Sequence, residues 1–263
     1  EELGITPVTY QPLIKTRYEY PEKRVLLDVW RVESFRGVPE GREGQPHRWV
    51  ALEALDELAF PEANLPILAA LKLPEKYLIT PDTGSDWQTF IAVLHQALEL
   101  GIDLLRFRAN SLDNDSYARQ ASQLIKICRD HKAHVLIDRG PEQVKRLGAD
   151  GLHLPSRSLM RLKSRPLGSE YLICASCHNR EELMHANHIE ADCAVLSPVY
   201  STPSHPGAAA LGWEHFEALC DIARMPVYAL GGMKTDHISR VKRSGGQGIA
   251  AIRSLWPANV VSI

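Results

Sequence analysis

From Lys76 onward the sequence keeps one rhythm: a short apolar run, a longer amphipathic stretch, then another short apolar run. The short runs are Tyr77–Thr80, Asp103–Phe107, His134–Ile137, Gly151–Leu154, Tyr171–Ala175, Ala194–Ser197, Val227–Leu230 and Gly248–Ile252. Runs of this length, mostly apolar, suit strands buried on both faces. The stretches Trp87–Leu100, Tyr117–His131, Pro141–Leu147, Arg180–Asn187, Glu214–Ala223 and Asp236–Ser244 carry helical spacing. Strands joined through helices run parallel, because a parallel pair needs a long crossover. Eight such units predict an α/β fold, a (β/α)8 TIM barrel. An open doubly wound sheet is the alternative, and the lack of G-x-G-x-x-G after the first run counts against it.

Residues 1–73 have a different texture. They carry most of the early prolines, and Val25–Val32 alternates as a strand with one buried face does. A turn separates it from an earlier alternating run. Pro61-Glu-Ala-Asn64 precedes a short apolar helix over Leu65–Leu71, and Pro74 then breaks the pattern. The predicted division is an α+β segment over 1–73 and the barrel over 74–263.

Composition narrows the partners. The formal net charge is −2, which gives no basic field for a nucleic acid polymer or an anionic membrane. No apolar run nears the ~20 residues of a membrane helix, and EELGITPVTY is not a secretory signal. Five cysteines without framework spacing suit a reducing compartment, so the expected location is the cytoplasm. A homo-oligomer is compatible with all of this.

In a barrel of this kind chemistry sits where the strands end. That rule gathers Arg106, Arg108, Asp138, Arg139, His153, Ser156, Ser176, Cys177, His178 and residues 197–205 at one mouth. Gly231 and Gly232 follow strand seven, and Ile252 and Arg253 follow strand eight, the two usual positions of a barrel phosphate site. Adjacent glycines let backbone N–H groups approach an anion. Thr202, Ser204 and His205, in a proline-stiffened loop, are candidates for a second anion. Cys174-Ala-Ser-Cys177-His178 also fits the C-x-x-C-H haem pattern. The reducing compartment and the place in the rhythm read it instead as the end of strand five, with Cys174 packed, Cys177 near the mouth and reactive, and His178 over the substrate. His185 and His188, three apart, read as surface residues because no third ligand accompanies them.

Leu104-Leu-Arg-Phe-Arg108, Asp138-Arg139, the segment Gly148–Ser156, Thr202-Pro-Ser-His205 and Gly231-Gly-Met233 resemble, in order and spacing, the thiamine phosphate synthase superfamily. The resemblance runs from about Lys76 to Trp256. It implies a phosphorylated thiazole as ligand, bound through Arg106, Arg108, Asp138, Ser156, Thr202, Ser204, His205, Gly231, Gly232, Ile252 and Arg253. Arg139, Arg157 and Ser158 stand where synthases carry acidic residues. Arginines in place of hard oxygen ligands point away from a magnesium-dependent synthase. Leu154-Pro-Ser156 and Ser176-Cys-His178 resemble the TenI-like branch, with its thiazole tautomerases. That likeness implies His178 as the proton carrier and no cofactor for the barrel. The alternative is a non-catalytic module that binds a thiamine-related phosphate.

Residues 1–73 resemble a second family, the C-terminal half of MutT-type Nudix hydrolases. Glu1-Glu2-Leu-Gly-Ile5 is similar to the end of the Nudix box, the segment Gly41–Pro46 to the loop bearing a further metal-binding or base glutamate, and Pro61-Glu-Ala-Asn64 to the segment that reads an oxidised guanine. The resemblance implies Glu1, Glu2 and Glu43 as ligands of Mg²⁺, Glu43 as a catalytic group, and Lys23 and Asn64 as nucleotide contacts. The front of the box is missing, so the expectation is an incomplete 8-oxo-dGTP diphosphatase within a longer fusion.

Overall fold

The computed structural model describes residues 2–84, 86–201 and 210–257. The eight short runs form the strands β3 (Lys76–Ile79), β4 (Leu104–Phe107), β5 (His134–Ile137), β6 (Gly151–Leu154), β7 (Leu172–Cys177), β8 (Cys193–Leu196), β9 (Val227–Ala229) and β10 (Gly248–Ala251). All pair in parallel, and β10 closes on β3, so the sheet has no edge. The closed barrel matches the expected (β/α)8 class.

The helices start where the sequence supplies partners for their free N–H groups. Asp86 accepts from Thr89 N at the start of α2 (Trp87–Glu99), Asp113 from Asp115 N and Ser116 N before α3 (Asn114–Asp130), and Asn179 from Glu182 N before α6 (Arg180–His188). Pro141 opens α4 (Pro141–Leu147), where a missing N–H costs nothing. The shell is completed by α5 (Ser156–Leu159), α7 (Gly212–Cys220) and α8 (Ile238–Arg243).

Alternation along each strand separates two cores. Tyr77, Leu104, Leu136, Cys174, Cys193 and Tyr228 fill the barrel interior. Leu105, Phe107, Ile137, Ala175, Cys177 and Leu196 face the helical shell. Cys174 and Cys177 therefore point to opposite sides of β7 and cannot grip one haem. The expectation that Cys177 is reactive is overturned: it is fully buried, and burial pushes its thiol far above the usual range.

The N-terminal end of the barrel is plugged. Helix α1 (Leu65–Lys72) lies across it, and Leu73 enters the interior core. Gln247 Nε2 donates to Ala70 O at 3.1 Å and Leu73 O at 2.6 Å, and Tyr228 Oη donates to Pro74 O at 2.6 Å. These bonds satisfy carbonyls that the end of α1 leaves open.

Before α1 the chain forms a two-stranded antiparallel ribbon, β1 (Thr6–Glu19) and β2 (Arg24–Arg36). One face packs Leu13 and Ile14 on Ala70 of α1, with Val29, Ile67 and Leu71 alongside. On its open side Tyr10 is 56% and Trp30 47% exposed, their rings 5.6 Å apart. Two 3-10 turns, Leu52–Glu57 and Glu62–Asn64, link the ribbon to α1.

Candidate functional site

The C-terminal ends of the strands bring most of the expected barrel residues together. Arg106 Nη2 on β4 meets Asp138 Oδ2 beyond β5 at 2.7 Å, with side chains only 12% and 8% exposed. Its Nε is buried with no partner among the described residues. A buried guanidinium with a spare donor suits an anionic oxygen at this end. Arg108 is fixed through its backbone, its N–H donating to Thr80 Oγ1 at 3.0 Å, and its side chain enters no ion pair among the described residues.

His178 follows β7. Its Nδ1 lies 2.8 Å from Ser197 O and 3.2 Å from Ser197 Oγ. A carbonyl oxygen only accepts, so Nδ1 carries a proton, and in the neutral ring the lone pair is on Nε2. The residue is exposed, which leaves that lone pair accessible. Its backbone N–H donates to Glu182 Oε2 at 2.7 Å, and Ser156 Oγ donates to Glu182 Oε1 at 2.8 Å. Ser156 is thus held by Glu182, and one carboxylate ties the loops after β6 and β7 together. Glu182 carried no motif; only its place three residues after the Asn179 cap marked it.

The glycines after β9 take backbone conformations that favour glycine and are closely approached by the chain after β8. Gly231 has φ +102° and Gly232 φ +68°. A Cβ on Gly231 would lie 2.8 Å from Pro198 Cα, and one on Gly232 3.1 Å from Tyr200 Cβ. Ser254 Oγ donates to Met233 O at 2.7 Å and so ties the loop after β10 to this turn. Ile252 is half-buried, Arg253 is exposed, and Trp256 N donates to Ile252 O at 2.9 Å, which makes a single helical turn. Thr202, Ser204 and His205 lie outside the described residues.

Arg139 turns away from the mouth. Its guanidinium stacks on Tyr117 at 4.5 Å and donates to Ala109 O and Leu112 O, bracing the loop after β4. A cavity of about 120 Å³ opens among Asp138, Gly140, His153, Pro155 and Ser158. Of these only Asp138 is a carboxylate, and Arg106 already holds it. The donor set does not fit a magnesium ion here.

The N-terminal residues divide. Glu2 O accepts from Arg42 N at 3.0 Å and from Gln45 Nε2 at 3.3 Å, and Glu43 N donates to Gln45 Oε1, so the Glu2 and Glu43 segments lie side by side. Lys23 sits at the hairpin turn, its Nζ 5.7 Å from the Tyr20 ring centroid. Twelve or more ribbon residues separate it from the Glu43 end, roughly 40 Å at strand rise. Asn64 ends the 3-10 turn whose Glu62 meets Tyr18 Oη at 2.6 Å, also toward the hairpin end. The two nucleotide candidates are thus parted from the two described metal candidates, and Glu1 lies outside the described residues. Among the described residues no three His, Cys, Asp or Glu side chains are gathered to hold a metal. The residues present do not fit a bound Mg²⁺. His185 Nε2 donates to Leu162 O at 2.8 Å, a structural contact with the loop after α5.

His153 and Ser176 complete the mouth. Burial and the neighbouring Arg106 push His153 well below the usual histidine range. Its place in the interior follows from alternation along β6, two residues on from Gly151.

Comparison with known proteins agrees with the fold. The family model described as thiamine monophosphate synthase (TMP-TENI) matches residues 76–255. A putative thiamine-phosphate synthase 2 of Aquifex aeolicus is 29% identical over 182 residues, 69% of this chain and 97% of that protein. A thiamine-phosphate synthase of Thermosynechococcus vestitus is 29% identical over 198 residues, 75% of this chain and 54% of the relative. The chain thus spans about half the length of that relative. Among solved structures, thiamine phosphate pyrophosphorylase from Pyrococcus furiosus superposes with a TM-score of 0.59 at 22% identity, over 71% of this chain and 89% of that one, a likeness of fold. Through its barrel, which the family model spans from first strand to last, the chain belongs to the thiamine monophosphate synthase family.

Proposed function

We propose that the barrel binds a phosphorylated thiazole and acts as a thiazole tautomerase in thiamine biosynthesis. The observation that carries this is the His178 hydrogen bond to Ser197 O, which leaves Nε2 as an accessible base. Nε2 takes a proton from one carbon of a thiazole carboxylate phosphate, and the resulting imidazolium returns it at another. No electrons are transferred, so the step asks for no cofactor. The turn at Gly231 and Gly232 holds the phosphate, while Arg106 and Arg108 supply positive charge. The competing synthase reaction asks for a magnesium pyrophosphate, and Arg139 and Arg157 stand where the carboxylates for it would be.

Incubating the purified chain with thiazole carboxylate phosphate tests this. Turnover that falls at least about a hundredfold in His178→Asn supports the tautomerase, in line with the loss of a general base. Binding without turnover in the unaltered protein replaces it with the non-catalytic phosphate-binding module. Coupling of thiazole phosphate to a pyrimidine pyrophosphate would restore the synthase.

For the N-terminal segment, the side-by-side backbones of Glu2 and Glu43 are what supports the MutT-like reading, and the distance of Lys23 and Asn64 from them counts against it. On that reading the segment is related to an 8-oxo-dGTP diphosphatase. The metal candidates do not converge, so this chain alone is expected to leave 8-oxo-dGTP intact with Mg²⁺ added. Measurable hydrolysis would show a more complete site.

A further inference from the structure

The proton chemistry above uses His178 and leaves a second imidazole without a task. His153 is fully buried inside the barrel. Its Nδ1 lies 2.8 Å from Tyr77 Oη, and its Nε2 2.7 Å from Ser176 Oγ. Tyr77 is equally buried. Ser176 is half-exposed at the mouth, and His153 is its one hydrogen-bond partner among the described residues.

Valence gives these three groups a direction. Burial and Arg106 keep His153 neutral, so it offers one N–H and one lone pair. Burial holds the Tyr77 phenol above its usual range, so the phenol keeps its hydrogen and must place it. Besides His153, its interior neighbours are carbon, the thiols of Cys174 and Cys193, and the Arg106 guanidinium, which has no acceptor to offer. A thiol accepts weakly, and imidazole Nδ1 accepts well. With Tyr77 donating to Nδ1, the histidine proton sits on Nε2 and goes to Ser176 Oγ. The serine hydroxyl, having accepted once, keeps its own hydrogen free for the open side.

We infer that Tyr77 and His153 are positioning residues that make the Ser176 hydroxyl a dedicated donor to an anionic oxygen, phosphate or carboxylate, of the bound ligand. The inference deepens the tautomerase reading and rests on its anion-binding mouth. Neither Tyr77 nor His153 needs to touch the ligand. The opposite direction would present Ser176 as an acceptor and suit a ligand N–H.

The direction is measurable without ligand. Nitrogen-15 NMR of the histidine-labelled chain, with His153→Gln to assign the signal, is expected to find the His153 proton on Nε2 alone at neutral pH. A proton on Nδ1, or on both nitrogens, overturns the inference. Titration with inorganic phosphate supplies the second readout. Ser176→Ala is expected to weaken binding about tenfold, as loss of one hydrogen bond to a charged group does. His153→Leu should weaken it several-fold, and His153→Gln, which retains an N–H donor, should recover most of the loss. The double variant that combines His153→Leu with Ser176→Ala should bind no more weakly than Ser176→Ala alone, because His153 acts through Ser176. Additive losses, or unchanged affinity in His153→Leu, overturn the positioning role. If the unaltered chain ignores phosphate, the anion-binding reading falls, and the NMR result still decides which way the hydroxyl points.

Discussion

Arg106 and Asp138 show how much of the mouth rests on single contacts. Their side chains are nearly buried and 2.7 Å apart. Asp138→Asn leaves the guanidinium buried without its counter-charge, so the expected loss is about 3 kcal/mol of folding stability. Urea unfolding of the variant measures it, and an unchanged midpoint would show that water compensates the arginine. His153 gives a pH signature. Its folded-state pKa is depressed, while in the unfolded chain it titrates near its ordinary ~6.5. Below that value the unfolded state binds a proton that the native state refuses, so stability falls as the pH drops from about 7 to about 5, by up to ~1.4 kcal/mol per pH unit. His134, raised by the Asp150 carboxylate 3.8 Å from its Nδ1, works the other way and gains stability on acidification. The part of the slope lost in His153→Gln isolates the buried imidazole, and an unchanged slope would contradict its neutral state.

Among the elements, the turn after β9 leaves the least room. Gly231 combines a φ of +102° with a neighbouring backbone 2.8 Å from where a Cβ would sit. Gly231→Ala is therefore expected to cost about 2 kcal/mol or more and to abolish measurable phosphate binding, read by thermal unfolding and titration. Gly148, with φ +66° and no neighbour closer than 3.5 Å, should lose far less. The barrel strands were legible in the sequence because a strand buried on both faces is an unbroken apolar run. His134–Ile137 and Gly151–Leu154 appear with the expected ends, and the others within two residues. Side-chain direction was less legible. Arg139 follows a strand end like its neighbours, but a ring from α3 draws it out of the mouth, and only packing shows that. Cys177 failed for a similar reason: nearness to the mouth in sequence says nothing about which face of β7 a thiol takes.

At the scale of the whole molecule, the ribbon is the part whose surface is not closed. Tyr10, Trp30 and Trp49 are 56%, 47% and 80% exposed. An apolar face of this kind attracts partners or itself. Replacing Tyr10 and Trp30 together by Ser is expected to lower the binding of a hydrophobic dye and slow aggregation on warming, while the barrel remains folded. If dye binding stays as high, the exposed surface lies elsewhere. The sequence marked this segment by its texture, and the resemblance read from it suggested candidate residues. It could not show that Lys23 and Glu43 fall at opposite ends of a long hairpin, because that distance is set by strand pairing.

The plug formed by α1 and Gln247 has a kinetic consequence. With the floor of the barrel sealed, a ligand enters and leaves by one doorway. On the tautomerase reading proposed above, spent product would occupy the vestibule that fresh reactant needs, and its inhibition would be competitive.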